Sequence, residues 1–298
     1  MSEFLRSRTL HASPLLQITD FSCRAPASLC GGEECASSHH ILFTRAGVFV
    51  KHAAGRRVVA EPTHALFFNH CEPFRVSHPI SGGDDCTILA CPATIWLELI
   101  GRYDPMVIER PAAPFVRSHG SMSPRTLLRS RRLPHHLRRT SGDALQVEEE
   151  TLDLLDAVLR DTYAGRSGAV RTARPTAAAR SELAEQTKLE IATRPADNRS
   201  LLELARAVNS SPFHLSRVFR EQVGVSIHQY RLRLRLAIAL DRLLDGTESL
   251  SGMAHSLGFS SHSHFTTVFR RTFGASPSAF RRSCSTARVR EVRTNLQA

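Results

Sequence analysis

Between residues 15 and 92 short apolar runs alternate with clusters of turn residues. The runs predict strands at 15–23, 40–45, 48–52, 57–60, 65–69, 74–78 and 86–91. The separators are Ala46-Gly47, Ala54-Gly55, Glu61-Pro62-Thr63, Glu72-Pro73 and Ser81-Gly82-Gly83-Asp84. Strands of this length at roughly ten-residue spacing build a small barrel or sandwich, because each turn must bring the chain back over the same core. Residues 95–100 then change to a helical period and include Trp96, the only tryptophan.

Between Arg117 and Arg139 lie seven arginines and no acid. Residues 143–163 put Leu145, Leu152, Leu155 and Leu159 on one helical face and Glu148-Glu149-Glu150 on the other. That apolar stripe can take a partner helix or pack back on the strand region. Residues 166–175 are basic and without apolar periodicity, which marks a boundary.

The chain beyond the boundary is helical and repeats itself. Residues 204–231 align with 253–281: Ala205 and Val208 match Ala254 and Leu257, and Leu215 and Phe219 match Phe265 and Phe269. Gly224, Ser226, Tyr230 and Arg231 match Gly274, Ser276, Phe280 and Arg281, with one extra residue in the second turn, Gly258-Phe259-Ser260-Ser261. A match of this length means two copies of one supersecondary unit. Each copy reads as helix, tight turn, helix. Ser200 caps the first helix, the small Ala205 admits a close crossing, and Asn209 tolerates the left-handed conformation of a helix end. Ser211 caps the second helix with Pro212 at its first position, where a missing N–H costs nothing. The core of the pair is expected from Ala205, Leu215, Phe219, Ala254, Gly258, Phe259, Phe265, Phe269, Gly274 and Pro277.

A helix-turn-helix unit projects the outer face of its second helix into the major groove of duplex DNA. In the first unit that face carries Phe213, His214, Ser216, Arg217 and Arg220; in the second, His262, Ser263, Thr266, Thr267, Arg270 and Arg271. Arginine reads guanine bidentately, and the shorter polar side chains reach base edges or phosphates. A helix over 226–244 joins the units. At 1.5 Å per residue it spans about 28 Å, close to one turn of B-DNA at roughly 34 Å. Residues 176–282 hold 15 Arg and Lys against 9 Asp and Glu, and the whole chain carries +11. The positive charge is almost all arginine, with Lys51 and Lys188 the only lysines. Guanidinium suits phosphate, but a GC-rich genome produces the same bias, so charge does not decide the matter.

The motif Ala254-x3-Gly258-Phe259-x5-Phe265-x3-Phe269-x4-Gly274-x2-Pro277 resembles the signature of the AraC/XylS family of transcription regulators. The departures are Gly252 inside a short helix and Asn209 in place of a more usual glycine. The resemblance implies an α+β multidomain chain: an N-terminal cupin-like β-barrel followed by helices, then an all-α domain with two helix-turn-helix units. His39-His40-Ile41-Leu42-Phe43, Gly47-Val48-Phe49 and Phe67-Phe68-Asn69 look like the opening of such a barrel. It further implies an effector-sensing domain over 1–116, a helical dimerisation segment over 117–165, a linker over 166–175, a DNA-binding domain over 176–283 and a disordered tail over 284–298. The implied partners are double-stranded DNA, a second copy of the chain, a small-molecule effector and RNA polymerase.

Cupin enzymes hold a metal through a His-x-His pair, a nearby acid and a later His. Here His39 and His40 are adjacent, facing opposite sides of a strand, and residues 41–50 contain no acid. That breaks the pattern of an oxygenase or isomerase, so no catalytic residue and no cofactor is expected. Seven cysteines form an odd count, no residue run resembles a signal-peptide core, and no 18-residue apolar stretch exists. A cytoplasmic chain without disulfides or a membrane span is the expectation. Cys23, Cys30, Cys35, His39, Cys71, His78 and Cys86 nevertheless crowd one region. Thiolate and imidazole ligate zinc and softer metals, and a low-pKa thiol senses oxidants. Without Cys-x2-Cys spacing, small apolar packing is the plainer reading. Cys23, His39, Cys71, His78 and Cys86 are the candidates for the alternative, a metal- or thiol-sensing regulator. An enzyme, such as a DNA-alkyl-repair protein with a reactive cysteine, is the rival of another class, and the missing acid and missing metal spacing count against it.

Overall fold

The structure is a computed structural model that describes residues 4–27, 31–139, 143–164, 175–246 and 248–284. The expected linker and tail, apart from Pro175 and Cys284, lie outside the described residues, as does Cys30. All seven expected strands form: β2 (Gln17–Cys23), β4 (His40–Gly47), β5 (Phe49–Ala53), β6 (Arg56–Ala60), β7 (His64–Phe68), β8 (Pro73–Ser77) and β9 (Asp84–Ala90). Three more are β1 (Leu5–Ala12), β3 (Glu34–Cys35) and β10 (His119–Ser121).

The strands pair into a six-stranded sheet, β1-β2-β9-β4-β7-β10, and a four-stranded sheet, β3-β8-β5-β6. Strict alternation assigns the faces of the larger sheet. Leu42, Leu66, Phe68 and Cys86 point to the smaller sheet and pack with Phe49 and Ala60. Ile41, Phe43, Ala65, Phe67 and Leu89 point the other way, toward Trp96, Leu127, Leu155 and Leu159 on the helices. The result is three layers: sheet, sheet, helices. No ladder closes the two sheets into one barrel among the described residues. One edge of the larger sheet, β1, is exposed over Leu5–Thr9 and carries Arg6 and Arg8, an edge unsuited to further pairing.

The helical layer is α1 (Ala93–Gly101), α2 (Pro124–Leu137) and α3 (Ala144–Ala164). The arginine-rich run becomes α2, capped by Ser123, whose hydroxyl accepts from Thr126 N–H, with Pro124 at the first position. In α3 the buried face is Val147, Thr151, Leu154, Leu155, Val158, Leu159 and Thr162, turned against α1, α2 and β10 of the same chain. Of the stripe that could take a partner helix or pack back on the strand region, Leu155 and Leu159 are buried within the chain, Leu152 is half-buried and Leu145 is 62% exposed.

The remaining helices are α4 (Pro175–Ala192), α5 (Leu201–Ala207), α6 (Pro212–Val223), α7 (Ile227–Asp245), α8 (Leu250–Ser256) and α9 (His262–Phe273). They pack on the sheet region along a continuous seam: α4 on β6, α7 on β4 and α2, and α9 on α2. Polar groups tie the seam. Glu185 accepts from the backbone N–H of Val59 at 2.7 Å and pairs with Lys188 at 2.9 Å. Glu61, fully buried, accepts from Thr63 N–H at 2.7 Å and pairs with His64. Burial alone would raise its carboxyl, but His64, Lys188 and Thr63 hold it down at about 2. Buried Tyr230 of α7 faces the same carboxylates, and burial with Glu61 and Glu185 pushes its hydroxyl well up. No described helix is long and apolar enough to cross a membrane.

Candidate nucleic-acid interface

The two repeats fold as the spacing requires. In the first unit Ser200 and Glu203 form a reciprocal capping box on α5. Asn209 takes φ +50° between the helices, the left-handed conformation its short polar side chain tolerates. Ser211 then caps α6, accepting from His214 N–H at 3.2 Å, and Gly224 ends it at φ +80°. In the second unit Gly258 takes the turn at φ +76°, Ser261 caps α9 by accepting from His264 N–H at 3.0 Å, and Gly274 closes it at φ +81°. Four residues separate α5 from α6 and five separate α8 from α9, which is the extra residue seen in the alignment.

Each second helix buries one face and leaves the other to solvent. Leu215, Val218 and Phe219 of α6 are buried, as are Phe265 and Phe269 of α9. Of the expected readers, Phe213, His214, Ser216, Arg217, Arg220, His262, Ser263, Thr267, Arg270 and Arg271 are exposed, and Thr266 is half-buried. Phe213 is 81% exposed, a large apolar surface presented to water at the start of α6. Of the expected core, Ala205, Leu215, Phe219, Ala254, Phe259, Phe265, Phe269 and Pro277 are buried, but Gly258 is half-buried and Gly274 is exposed, serving as helix ends rather than as packing residues.

What holds one unit against the other is Arg235 in the middle of α7, which the sequence reading passed over because it interrupts the apolar stripe. Its guanidinium donates to the carbonyls of Pro195 (2.7 Å), Gly258 (2.8 Å), Ala196 (3.1 Å) and Asp197 (3.0 Å) and to Asn198 Oδ1 (3.0 Å). Burial and the neighbouring Arg231 lower its pKa to about 10, which leaves it charged at neutral pH. Gly258 lies so close to this loop that a Cβ there would sit 2.1 Å from Ala196 O. The turn of the second unit is therefore packed on the segment that enters the first.

Residues 204–283 match a family model described as a helix-turn-helix domain. Over 99 residues the chain is 32% identical to the arabinose operon regulatory protein of Escherichia coli K12, a match covering 33% of this chain and 34% of that one. Over 101 residues it is 37% identical to the HTH-type transcriptional regulator GlxA of Rhizobium meliloti 1021, covering 34% and 30%. Over this C-terminal region the chain carries a helix-turn-helix domain similar to those of AraC/XylS-type regulators. It spans about a third of the length of the curated relatives it matches. A solved structure, ToxT from Vibrio cholerae O395, covers 94% of this chain and 97% of its own at 9% identity, with a TM-score of 0.35.

In the sheet region the described thiols and imidazoles do not form one cluster. Buried His39 and exposed Cys71 flank His70: His39 Nδ1 accepts from His70 N–H at 3.0 Å, and Cys35 Sγ–H donates to Cys71 O at 3.6 Å. Cys23, His78 and Cys86 are elsewhere, at one end of the inter-sheet core, with Asp84 among them. The sequence reading missed Asp84 because it stood in a turn-forming run. It also gave no role to Lys51 and Lys188, yet both lysines are about 1% exposed. Lys51 Nζ donates to Phe67 O at 2.9 Å and sits 3.9 Å above the Phe68 ring, and burial lowers its pKa.

Proposed function

We propose that this chain is a sequence-specific transcription regulator that binds double-stranded DNA through α6 and α9 in successive major grooves, under control of a small-molecule effector at its cupin-like sheet region. The observation that carries the reading is the pair of exposed, arginine-bearing faces on α6 and α9, each backed by buried Leu or Phe and held in fixed relation by α7. α7 has a second role in this reading: it also packs against β4 and α2. A change in the sheet region would reach α6 through α7 and α9 through α2, the kind of coupling an effector needs. A second copy of the chain, on paired half-sites, and RNA polymerase are the further partners of this reading.

The test is in-vitro selection of duplex sites by the purified full chain at physiological salt. The expected result is two short motifs about one helical turn apart. Enrichment of nothing beyond salt-sensitive, sequence-independent binding, with and without candidate effectors, would sink the reading.

A further inference from the structure

Cys23 ends β2 and stands directly opposite Asp84, which begins β9. His78 follows β8 of the other sheet. One ligand atom from each of the three lies within 4.8 Å of the other two, and all three residues are buried. The Asp84 carboxylate is only 3% exposed. Its two oxygens meet His78 Nε2 at 2.9 Å and the Cys86 thiol, which donates at 3.1 Å. A buried carboxylate needs compensation, yet the partners it has are an imidazole and a thiol, neither of them a permanent cation. A neighbouring guanidinium, Arg24, spends its bonds on the carbonyls of Cys23 and Asp84 and on the Asp85 carboxylate. Thiol, imidazole and carboxylate in one dry corner are the donor set of zinc and similar divalent ions.

We infer that Cys23, His78 and Asp84 form a binding site for one thiophilic divalent cation of the zinc class. Donor atoms around tetrahedral zinc stand about 3.5 Å apart; the present separations run from 2.9 Å for His78 and Asp84 to no more than 4.8 Å, so the His78–Asp84 pair would open slightly and the widest pair would close. Cys23 gives up its thiol proton to solvent and binds as thiolate, and His78 binds as the neutral ring with its proton on the other nitrogen. Asp84 binds through one oxygen, leaving a fourth position for water. One proton is released per ion. Cys86 keeps its bond to the other Asp84 oxygen and orients it. The frame is rigid where it must be: a Cβ on Gly83 would sit 1.9 Å from Cys23 O, and one on Gly47 would sit 2.1 Å from Gly83 O. Because β2 and β9 belong to one sheet and β8 to the other, the ion would pin the two sheets together. The inference does not rest on the DNA-binding reading.

The test strips the reduced full chain with chelator and titrates it with Co2+, then displaces Co2+ with Zn2+. One Co2+ per chain, a thiolate-to-cobalt charge-transfer band, release of one proton and a higher melting temperature are expected. Cys23→Ser should abolish the band, and His78→Gln and Asp84→Asn should each weaken Zn2+ binding by ~10-fold or more. Should Cys23→Ser unfold the chain, Cys23→Ala, which keeps the small apolar packing, carries the comparison. The double variant Cys35→Ser, Cys71→Ser should bind as the parent does. Absence of the band in the parent, or a band that survives loss of Cys23 and disappears with Cys35 and Cys71, overturns the inference.

Discussion

Arg131 Nε lies 3.0 Å from Asp241 Oδ2, joining α2 of the helical layer to α7 of the helix-turn-helix region, and the Arg131 side chain has no exposure at all. The same guanidinium donates through one terminal nitrogen to Thr44 O at 2.7 Å and Pro62 O at 2.8 Å. One side chain therefore touches α7, β4 and the β6–β7 turn. Truncating it leaves two carbonyls and a carboxylate without their cation. Arg131→Ala should lower stability by about 3 kcal/mol, the usual cost of breaking a buried pair. Urea unfolding followed by far-ultraviolet circular dichroism checks this, and a loss below about 1 kcal/mol would show that the seam does not depend on the contact.

The seam and the inter-sheet core also predict how stability varies with pH. Burial lowers His40 to about 4 and His119 to about 3, so both imidazoles are neutral when folded and take protons first when unfolded. Their contribution is intact above the ordinary histidine value of about 6.5 and is lost as pH falls toward the folded values. Asp241 works in the opposite sense. Burial raises it to about 6 against the pull of Arg131, so it binds a proton in the folded state first and adds stability as pH falls. Two imidazoles outweigh one carboxyl, and the urea midpoint should fall between about pH 7 and pH 5. Asp241→Asn removes the opposing contribution, so the fall should steepen; an unchanged or flatter profile in that variant contradicts the assignment.

The glycines of the family motif are not equivalent. Gly258 and Gly274 both have positive φ, but a Cβ at Gly274 meets nothing within 4 Å, whereas at Gly258 it meets Ala196 O at 2.1 Å. Gly274→Ala should cost about 1 kcal/mol of backbone strain. Gly258→Ala should cost clearly more, because the 195–198 loop held by Arg235 must also move. Thermal melts of the two variants decide the order.

Readers on α6 and α9 should separate from structure. Phe213→Ala and Arg217→Ala alter exposed positions, so the melting temperature should stay where it is. Arg217→Ala should relax base choice in one selected motif by about 1–3 kcal/mol, and Thr266→Ala should relax only the other. Relaxation of both motifs by either variant would contradict a two-unit reading.

Lys51 is a buried cation whose partners are a carbonyl and aromatic rings. Lys51→Met fills the same space without the desolvation cost and should raise stability by about 1 kcal/mol. A lower melting temperature would mean that the Phe67 carbonyl and the Phe68 ring compensate the charge in full.

Local patterns determined a large part of this molecule. Alternation placed the seven strands, and the repeat placed Asn209, Gly224, Gly258 and Gly274 at positions where a helix must end, because periodicity and left-handed turns are properties of neighbouring residues. The faces of α6 and α9 followed from helical spacing alone. Tertiary structure decided the rest, through groups distant in sequence. The strand pattern left barrel or sandwich open, and the pairing resolved it as two sheets. The stripe on residues 143–163 fitted a partner helix equally well until α1, α2 and β10 were seen to cover it. Asp84 beside Cys23 and His78, Arg131 beside Asp241, and Arg235 under the loop at 195–198 have no local signal. Each is a polar group brought out of water by elements folded from elsewhere in the chain, and only their packing determines which charge must answer which.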